Sequence, residues 1–455
     1  MTTRTTADIG PGRERRSSGR QGAGRRLRPL LAAVTALLTV GLAAGCSDSG
    51  GSLRVVWEAP VDSGAMRYGN GAWLVGDTLV RSRYDAVTAV DARTGKGRWE
   101  YAPPGREHVC AVSRRTAGSV VLIARGNMAD AGCSTVAALD LTTGRERWHT
   151  PRTPGDMTET FTDMVAVGGG IAVLRDADDM WVIDDDLWTS RTRPVVSGSK
   201  ALRAFDLRTG APRWTAAVPK DCVPEQVAAG ERQVVAVLAC DRTELRLAAF
   251  DPADGGQRWT APLGGRTTPV PDGQVALLSA EPAVVRTGGA TEGQPGAFLA
   301  FGQEGKPVGR IATTGGYGTV QAHTPSLVAV TDGRLYLGVE SRRREAYRDR
   351  VVAFDLTSGS QVWLRDVAVA GGLRALDVTG GRVTVLADRG TRHDGLDQLR
   401  VLDAATGDEK EDTDAGVDVD QAQQDEPTAL LVYQDLVIAV RQSAGVHPFS
   451  AYTRE

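Results

Sequence analysis

The sequence contains few lysines, asparagines, histidines and cysteines. Of its 53 basic residues only five are lysines, and its two asparagines are Asn70 and Asn127. This preference for arginine is typical of a GC-rich genome, such as that of an actinobacterium, and says nothing about chemistry. The chain has 455 residues, of which 41% are hydrophobic and 24% charged. That composition is globular and excludes a disordered protein.

The sequence motifs of several classes of enzyme are missing. The histidines lack the HExxH spacing of zinc proteases, and no CxxCH segment for haem attachment occurs. The GxSxG turn of serine hydrolases and the GxxxxGK[ST] phosphate loop are also missing. The five scattered histidines are His108, His149, His323, His393 and His447. No metal site is predicted from this pattern.

The N-terminal segment has the composition of an export signal. Seven arginines between residues 13 and 28 precede an apolar run, Pro29–Leu42, that is short for a lasting membrane span. Small residues at positions 43–45 then precede Cys46, and this order resembles the lipobox of bacterial lipoproteins. A plain secretory signal with an incidental cysteine is the alternative.

The lipobox resemblance divides the chain into three parts. Residues 1–45 are expected to be a removed signal peptide, residues 46–52 a flexible tether that begins with lipidated Cys46, and residues 53–455 the folded domain. Loss of the signal leaves 45 basic and 54 acidic residues, a net charge of −9. An acidic body without a basic stripe argues against nucleic acid and against charge-driven docking on anionic lipid. The lipid is therefore the expected link to the cell membrane.

One pattern of eleven residues returns along the folded part. It places Gly four residues and Trp eight residues after an Asp, as in AFDLRTGAPRW. Five copies are intact, at Ala89–Trp99, Ala138–Trp148, Ala204–Trp214, Ala249–Trp259 and Ala353–Trp363. Ala300–Arg310 has lost the Asp, one turn residue and the Trp, and Val401–Glu411 has lost only the Trp. A period of about fifty residues indicates a repeat architecture.

Each repeat has the composition of four short strands. In the segment Val223–Ala261, the apolar runs VVAVLAC and LRLAAFD alternate with polar turns and are followed by QRWTA. A tight turn should precede the second strand of every repeat. Eight such turns are predicted, at residues 76–77, 117–118, 168–170, 230–231, 272–273 (Asp272-Gly273), 332–333, 380–381 and 434–435.

The eighth copy of the pattern is divided between the two ends of the chain. Ser450–Glu455 matches the strand before the Asp/Gly turn, and Arg54–Pro60 matches the strand after it, with Trp57 at the Trp position. We therefore expect an all-β fold, an eight-bladed β-propeller of four-stranded antiparallel blades. The N-terminal strand completes the last blade and closes the ring.

The pattern has a structural role in this fold. Asp and Thr can hydrogen-bond within the turn, Gly supplies its backbone conformation, and Trp fills the wedge between neighbouring sheets. Six tryptophans are assigned to this packing, Trp57, Trp99, Trp148, Trp214, Trp259 and Trp363. The pattern resembles the tryptophan-docking repeat of the quinoprotein alcohol dehydrogenase-like propellers, with their PQQ-like repeats. The resemblance covers nearly all of residues 53–455.

Enzymes of that family use pyrroloquinoline quinone (PQQ) and calcium. They resemble one another in a vicinal Cys-Cys disulfide beside the quinone, calcium-binding Glu and Asn residues, an Asp base and often a CxxCH segment. Here the nearest cysteine pair, Cys222 and Cys240, is 18 residues apart, and neither asparagine lies in a ligand cluster. We therefore expect no catalytic activity and no cofactor.

Four cysteines remain after export, and an oxidising compartment favours two disulfides over metal ligation. Cys222 and Cys240 are symmetric about residue 231 in a predicted turn, so they should face each other across an antiparallel strand pair. Cys110 and Cys133 then form the second disulfide by elimination. Four free buried thiols are the alternative.

Three segments outside the pattern carry unusual charge or aromatic residues. The third repeat contains an insertion, Asp176–Pro194, in which Trp181 and Trp188 accompany six Asp. This suits partner recognition, or packing of the insertion on its own blade. Alternate carboxylates in Asp412–Asp420 lack the terminal Glu of an EF-hand and are interpreted as a solvated acidic loop, with a calcium-binding loop as the alternative. The arginines of residues 342–350 likewise indicate a solvated face.

The sequence favours a non-catalytic, lipid-anchored propeller on the extracytoplasmic face of the cell membrane, acting as a scaffold for an envelope protein. A non-enzymatic resemblance is to the propeller lipoprotein of the Gram-negative outer-membrane assembly machine. The alternative is a sensor that binds a sugar or cell-wall fragment in the central funnel. A PQQ-dependent dehydrogenase is the least favoured interpretation.

Overall fold

A computed structural model describes most of the folded part of the chain, within the compact unit Gly50–Glu455. The described residues are 53–62, 69–105, 107–127, 132–152, 164–176, 201–240, 244–265, 275–288, 296–320, 325–343, 346–369, 372–388, 397–414 and 427–454. Among them, no helix has the length and apolar character needed to cross a bilayer. The predicted signal peptide, Cys46, Trp181 and Trp188 lie outside the described residues.

Eight antiparallel sheets, the blades, succeed one another along the chain. The first strand, β1 (Leu53–Glu58), belongs to the last of them. Blade 1 contains β2 (Gly69–Val75), β3 (Thr78–Arg83), β4 (Val87–Asp91) and β5 (Gly97–Tyr101). Blade 2 contains β6 (His108–Val112), β7 (Val120–Asn127), β8 (Gly132–Asp140) and β9 (Arg145–Pro151). Blade 3 contains β10 (Val165–Gly168), β11 (Ile171–Asp176), β12 (Ala201–Asp206) and β13 (Pro212–Ala217).

The next three blades follow the same order. Blade 4 contains β14 (Cys222–Ala229), β15 (Val234–Cys240), β16 (Glu244–Phe250) and β17 (Gln257–Gly265). Blade 5 contains β18 (Val275–Ala280), β19 (Ala283–Thr287), β20 (Ala297–Phe301) and β21 (Pro307–Ala312). Blade 6 contains β24 (Val328–Thr331), β25 (Arg334–Arg343), β26 (Ala346–Asp355) and β27 (Gln361–Val369). It also carries a small hairpin, β22 (Thr314–Gly315) and β23 (Gly318–Val320), and a short 3-10 helix (Pro325–Leu327).

The last two blades complete the ring. Blade 7 contains β28 (Leu373–Thr379), β29 (Arg382–Asp388), β30 (Asp397–Asp403) and β31 (Glu409–Asp414). Blade 8 contains β32 (Ala429–Tyr433), β33 (Leu436–Val440), β34 (Phe449–Arg454) and β1. β1 pairs with β34, with Val55 opposite Tyr452. The N-terminal strand therefore completes the last blade, as the sequence predicts.

The hydrophobic core lies between the blades, because each sheet is buried on both faces. Every residue of β15 is buried, and its side chains alternate between two apolar clusters. Val234, Ala236 and Leu238 pack with residues of blade 3, whereas Val235 and Val237 pack with residues of blade 5. This explains why the second strand of a repeat is a continuous apolar run and does not alternate with polar residues.

The turn between the third and fourth strands of a blade is built around the Asp of the repeat. In blade 3, Asp206 Oδ1 accepts hydrogen bonds from the backbone N–H and the hydroxyl of Thr209, both at 2.9 Å. Gly210 follows with a φ of +73°, which favours glycine. Arg213, just before the Trp, pairs with Asp206 Oδ2 at 2.6 Å.

This basic position was not part of the predicted pattern, yet it recurs. The Asp–Arg pair is also present in blades 1, 2 and 4, and Lys410 replaces the arginine in blade 7. Hydrogen bonds from Arg98 and then from Thr94 lower the pKa of Asp91, in blade 1, to about 2. The carboxylate of this turn therefore stays charged at physiological pH.

Each tryptophan of the repeat lies against the glycine of the next blade's turn. A Cβ added to Gly255 would lie 2.6 Å from the ring of Trp214, so the contact requires glycine. Trp214 Nε1 also donates a hydrogen bond to Pro252 O at 2.9 Å. The contact occurs in six of the ring's interfaces, as Trp57–Gly95, Trp99–Gly144, Trp148–Gly210, Trp214–Gly255, Trp259–Gly305 and Trp363–Gly407.

The two interfaces without a tryptophan close differently. Gly309 occupies the Trp position of blade 5, and its backbone lies directly against blade 6. A Cβ on Gly309 would lie 2.6 Å from Leu356 O. Glu411 occupies the position in blade 7, where blades 7 and 8 instead share an apolar cluster that includes Leu386 and Tyr452.

Both predicted disulfides are present, and each lies within one blade. Cys222 and Cys240 are directly opposite on β14 and β15, with their Cα atoms 3.9 Å apart. Cys110 on β6 is linked to Cys133 on β8, with a Cα–Cα distance of 6.3 Å. Such links stabilise a fold mainly by restricting the unfolded chain.

One predicted turn is wrong. The turn between the first two strands of blade 5 is formed by Glu281 and Pro282 and not by Asp272-Gly273, which lies outside the described residues. Glu281 is held by a neighbouring blade, because its Oε1 accepts a hydrogen bond from the backbone N–H of Gln233 at 3.0 Å. This turn therefore lacks the usual Gly or Asp, and a hydrogen bond from the neighbouring blade holds it in place.

We expect Gly255→Ala to destabilise the protein more than Gly76→Ala. Both glycines have positive φ, +74° and +60°, so both substitutions pay for a left-handed alanine, roughly 1–2 kcal/mol. Only Gly255 is against a tryptophan, since nothing lies within 4 Å of a Cβ on Gly76. Gly255→Ala should therefore cost about 1–3 kcal/mol more, as overpacking usually does. Urea denaturation of the two variants measures this difference. Equal losses of stability would contradict the tryptophan contact.

Candidate functional site

One connection in the ring is longer than its counterparts. Because strands alternate in direction, the connections between strands one and two and between strands three and four lie at the same end of each blade, here called the turn face. In six blades two residues join the first strand to the second, and in blade 4 four residues do so. In blade 2 the connection comprises residues 113–119, here called the blade 2 loop.

The blade 2 loop is anchored at its base. Ser113 is buried, and its backbone N–H donates to Leu122 O at 2.9 Å. Its hydroxyl accepts a hydrogen bond from the N–H of Leu122 at 3.1 Å and donates to Arg115 O at 2.9 Å. Ala117 and Val120 exchange two further backbone hydrogen bonds at 3.0 and 3.1 Å. These contacts hold the loop in one conformation.

Arg114 and Arg115 extend from this loop across the axis of the ring. Arg114 Nη1 donates to Leu277 O in blade 5 at 3.4 Å. Arg115 Nη2 donates to Val330 O in blade 6 at 3.5 Å. Blades 5 and 6 are not neighbours of blade 2, and blade 6 is opposite it in a ring of eight. The two side chains therefore bridge the central opening between the first strands of the blades.

A third arginine lies close to this bridge. Burial, and then the positive charge of Arg114, lower the pKa of Arg286 on β19. The two guanidinium groups are thus near enough to repel each other. Arg114 and Arg115, which extend from blade 2 to blades 5 and 6, and Arg286, which senses the charge of Arg114, are the candidate functional site.

A comparison with family models assigns the chain. The model described as outer membrane protein assembly factor BamB matches residues 51–220, 183–312 and 300–452, which include all eight blades. The chain belongs to the BamB family. A comparison with curated protein sequences gives no match.

Solved structures with a similar fold include a BamB, dehydrogenases and a designed protein. The chain is 15% identical to BamB from Moraxella catarrhalis, with 88% of this chain and 97% of that chain covered and a TM-score of 0.44. It is 11% identical to quinohemoprotein alcohol dehydrogenase ADHIIG from Pseudomonas putida HK5, with 90% and 77% covered and a TM-score of 0.49. It is 14% identical to the computationally designed Ika8 protein, with 87% and 99% covered and a TM-score of 0.49. The fold assignment depends on the strand pairing described above and not on these scores.

The described residues do not fit the PQQ and calcium site that the resemblance to quinoprotein dehydrogenases implies. Both disulfides link separate strands within a blade, so neither is a vicinal pair beside the axis. Asn70 Nδ2 donates to Val109 O at 3.4 Å, in the contact between blades 1 and 2. No three His, Cys, Asp or Glu side chains in the described part of the chain are arranged to hold a metal ion. We derive no redox step for this BamB-family chain.

The other residues that the sequence singled out are distributed around the ring. The six tryptophans and the four cysteines lie between or within blades, where they support the fold. In the basic segment 342–350, Arg348 and Arg350 both pair with Asp366, at 2.8 and 2.6 Å. The interpretation of Asp412–Asp420 as a loop is wrong for 412–414, whose backbone pairs with β30 as the end of β31; the remainder lies outside the described residues. None of these groups joins the axial arginines.

Two aspartates on adjacent strands of blade 6 have opposite electrostatic environments. Asp349 is 2% exposed and lies opposite Glu340 on β25. Its Oδ2 has no hydrogen-bond partner among the described residues. Burial, and then the charge of Glu340, raise the pKa of Asp349 to about 7. Burial also raises the pKa of Asp366, but the hydrogen bonds from Arg348 and Arg350 outweigh it and leave the pKa lowered.

We expect Asp349→Asn to stabilise the protein at pH 8 by about 2 kcal/mol or more. The folded pKa exceeds the ordinary value of 3.8, so wild-type stability falls as pH rises from 3.8 to about 7 and the buried carboxylate ionises. The neutral amide avoids this loss, and at pH 4 the variant should match wild type. Urea denaturation at both pH values provides the measurement.

Asp366→Asn is the control for this prediction. Its lowered folded pKa gives stability that is present above the ordinary pKa and is lost as pH falls through the folded pKa. The substitution should therefore destabilise the protein at pH 8 and less so in acid. An effect of Asp349→Asn that does not depend on pH would contradict the assignment of a buried, titrating carboxyl.

Proposed function

We propose that this protein is a non-catalytic scaffold, held by a lipid on Cys46 at the extracytoplasmic face of the cell membrane, where it binds another envelope protein. The observation that carries the proposal is membership, along all eight blades, of a family described as an outer membrane protein assembly factor. A protein with such a role acts through contacts with other proteins. We transfer the protein-binding role to this chain, and no particular machine.

The closed ring supports this role because it holds a large surface in one shape. In blade 8 the first strand of the described chain, β1, pairs with the last strand, β34. This pairing ties the two ends of the chain together and closes the ring. The six tryptophan contacts link neighbouring blades. A partner bound to two adjacent blades would therefore meet a preformed surface and lose little free energy in ordering it.

Two exposed valines on adjacent blades offer an apolar contact. The position before the Trp of the repeat is basic in blades 1 to 4 and 7, but it is Val308 in blade 5, Val362 in blade 6 and Val56 in blade 8, and only blades 5 and 6 are adjacent. These valines are 39% and 42% exposed. Apolar residues in place of basic ones on two adjacent blades suit the apolar centre of a protein contact. We place the partner surface on blades 5 and 6, with Trp181 and Trp188 as a second possible contact.

Proximity labelling from the full-length protein in its host tests the proposal. Wild type should fractionate with membranes and label one envelope protein reproducibly. Val308→Asp combined with Val362→Asp should lose that labelling by about tenfold or more, because two charges would have to be buried at the contact. Cys46→Ala should release the protein from the membrane fraction or leave it mislocalised.

The matched control is Val55→Asp combined with Val56→Asp. These valines are 38% and 39% exposed on β1, in blade 8, so the change in charge and exposure is matched outside blades 5 and 6. Equal loss of labelling by the two double variants would contradict a partner surface on blades 5 and 6. Membrane retention of Cys46→Ala with an uncleaved signal would contradict the lipid anchor. Alcohol oxidation by the purified protein with PQQ and calcium would overturn the non-catalytic role.

A further inference from the structure

We propose that the turn face of the ring, at blades 8 and 1, faces the membrane and contacts the headgroups of its phospholipids. The inference rests on the lipid anchor at Cys46 proposed above, and it adds the orientation in which that anchor holds the ring. It leaves the opposite face, which carries the connections between strands two and three, exposed to the extracytoplasmic space.

The strand pairing of blade 8 fixes the end of the ring from which the N-terminal segment leaves. β1 is the fourth strand of this blade, and its first residue, Leu53, is opposite Arg454, the last residue of β34. In the other blades the connection between strands three and four lies on the turn face. Leu53 therefore lies on the turn face, at the position where a complete repeat has its Asp/Gly turn.

The turn of blade 1 lies next to this exit point. Trp57 on β1 packs against Gly95 of that turn and donates its Nε1–H to Ala92 O at 3.2 Å. Arg93 Nη2, in the same turn, is 3.4 Å from Asp435 Oδ1 in the first turn of blade 8. Blades 8 and 1 thus form one continuous part of the turn face beside the exit point.

The segment between the lipid and the ring is short, and its length favours this orientation. Leu53 is seven residues after Cys46, and the sequence between them is SDSGGS. A chain of this composition and length spans about 15 Å on average and can reach at most about 25 Å. β1 has six residues and is about 20 Å long. For the opposite face to meet the membrane, the segment would have to run back along β1 almost fully extended, at a cost in conformational entropy.

The charged side chains beside the exit point suit contact with lipid headgroups. Arg93 and Lys96 in the turn of blade 1 are both exposed, and both can donate hydrogen bonds to phosphate oxygens. The carboxylates nearby are in ion pairs, Asp435 with Arg93, and Asp77 and Asp91 with Arg98. These residues together carry no net charge, whereas the chain from residue 46 onward carries −9. An anionic membrane surface therefore meets little repulsion here.

Energy transfer from labelled positions to the membrane surface tests the orientation. The lipidated protein is purified from its host's membranes and reconstituted into vesicles of phosphatidylethanolamine and phosphatidylglycerol that contain a lipid with an acceptor dye on its headgroup. Lys96→Cys and Ala102→Cys each receive a donor dye. Both positions are exposed, and they flank β5, Lys96 on the turn face and Ala102 on the opposite face. The four cysteines of the ring are in disulfides and do not take the dye.

We expect energy transfer from Lys96→Cys to exceed that from Ala102→Cys by about twofold or more, because the two ends of β5 are about 20 Å apart. A matched pair in blade 3 is Ala211→Cys, before β13 on the turn face, and Lys220→Cys, beyond the other end of β13. This pair should show the same order, since the whole turn face is directed toward the membrane.

Two results would overturn the orientation and leave the anchor standing. One is equal transfer within each pair, with blade 1 nearer the membrane than blade 3, as for a ring that stands on its rim. The other is stronger transfer from Ala102→Cys and Lys220→Cys. Wild type should float with the vesicles, and Cys46→Ala should not. Failure of wild type to float would contradict the proposed anchor and, with it, the orientation.

Discussion

The contact of a tryptophan in one blade with a glycine turn in the next is the interaction on which this ring depends. The contact has three requirements: a flat tryptophan side chain that fills the gap between two blades, a turn residue with positive φ, and no Cβ on that residue where the indole packs against it. In the Trp214–Gly255 contact an indole N–H donates to a carbonyl of the same turn, which orients the side chain. The Asp of the turn is neutralised by the basic residue next to the Trp. Each copy of the repeat therefore contacts both neighbouring blades: its glycine packs against the tryptophan of the preceding blade, and its own tryptophan packs against the next blade.

Several departures from this regular contact lie at blades 5 and 6, and one more lies between blades 7 and 8. Gly309 replaces the tryptophan between them, so their backbones approach directly. Blade 6 also carries the additional hairpin β22–β23. Val308 and Val362 replace the basic residues of the turn, and Arg114 and Arg115 reach across the axis to the same two blades. The regular blades serve mainly to hold the ring together. The proposed partner surface uses the irregular blades 5 and 6.

Features set by local spacing could be predicted from the sequence. The four strands per repeat, the tryptophan role and the Cys222–Cys240 pair all follow from distances along the chain, because strand pairing across a short turn preserves symmetry. The divided eighth blade could be predicted because both of its parts retain the pattern. The family resemblance supported the same fold and is consistent with the family match.

Features set by contacts between distant blades could not be predicted in this way. Glu281 and Pro282 form a turn without the usual residues because Gln233 of blade 4 holds the glutamate. The contacts of Arg114 and Arg115 with blades 5 and 6 could not be predicted, because they depend on the position of blade 2 across the ring from those blades. The length of the connection at residues 113–119 was the available signal. The burial of Asp349 likewise depends on the packing of blade 6 in the ring and not on its neighbours in sequence.

The central claim is that the N-terminal strand closes the ring within blade 8. β1 also connects blade 8 to blade 1, because Trp57 on this strand donates a hydrogen bond to Ala92 O in blade 1 at 3.2 Å. Hydrogen–deuterium exchange of the mature protein tests the claim most directly. The account predicts that amides of Leu53–Glu58 are protected to the same degree as those of Phe449–Arg454 and lose protection together with them as denaturant is added. Exchange of Leu53–Glu58 at the rate of an unstructured peptide, while Phe449–Arg454 stays protected, would contradict it.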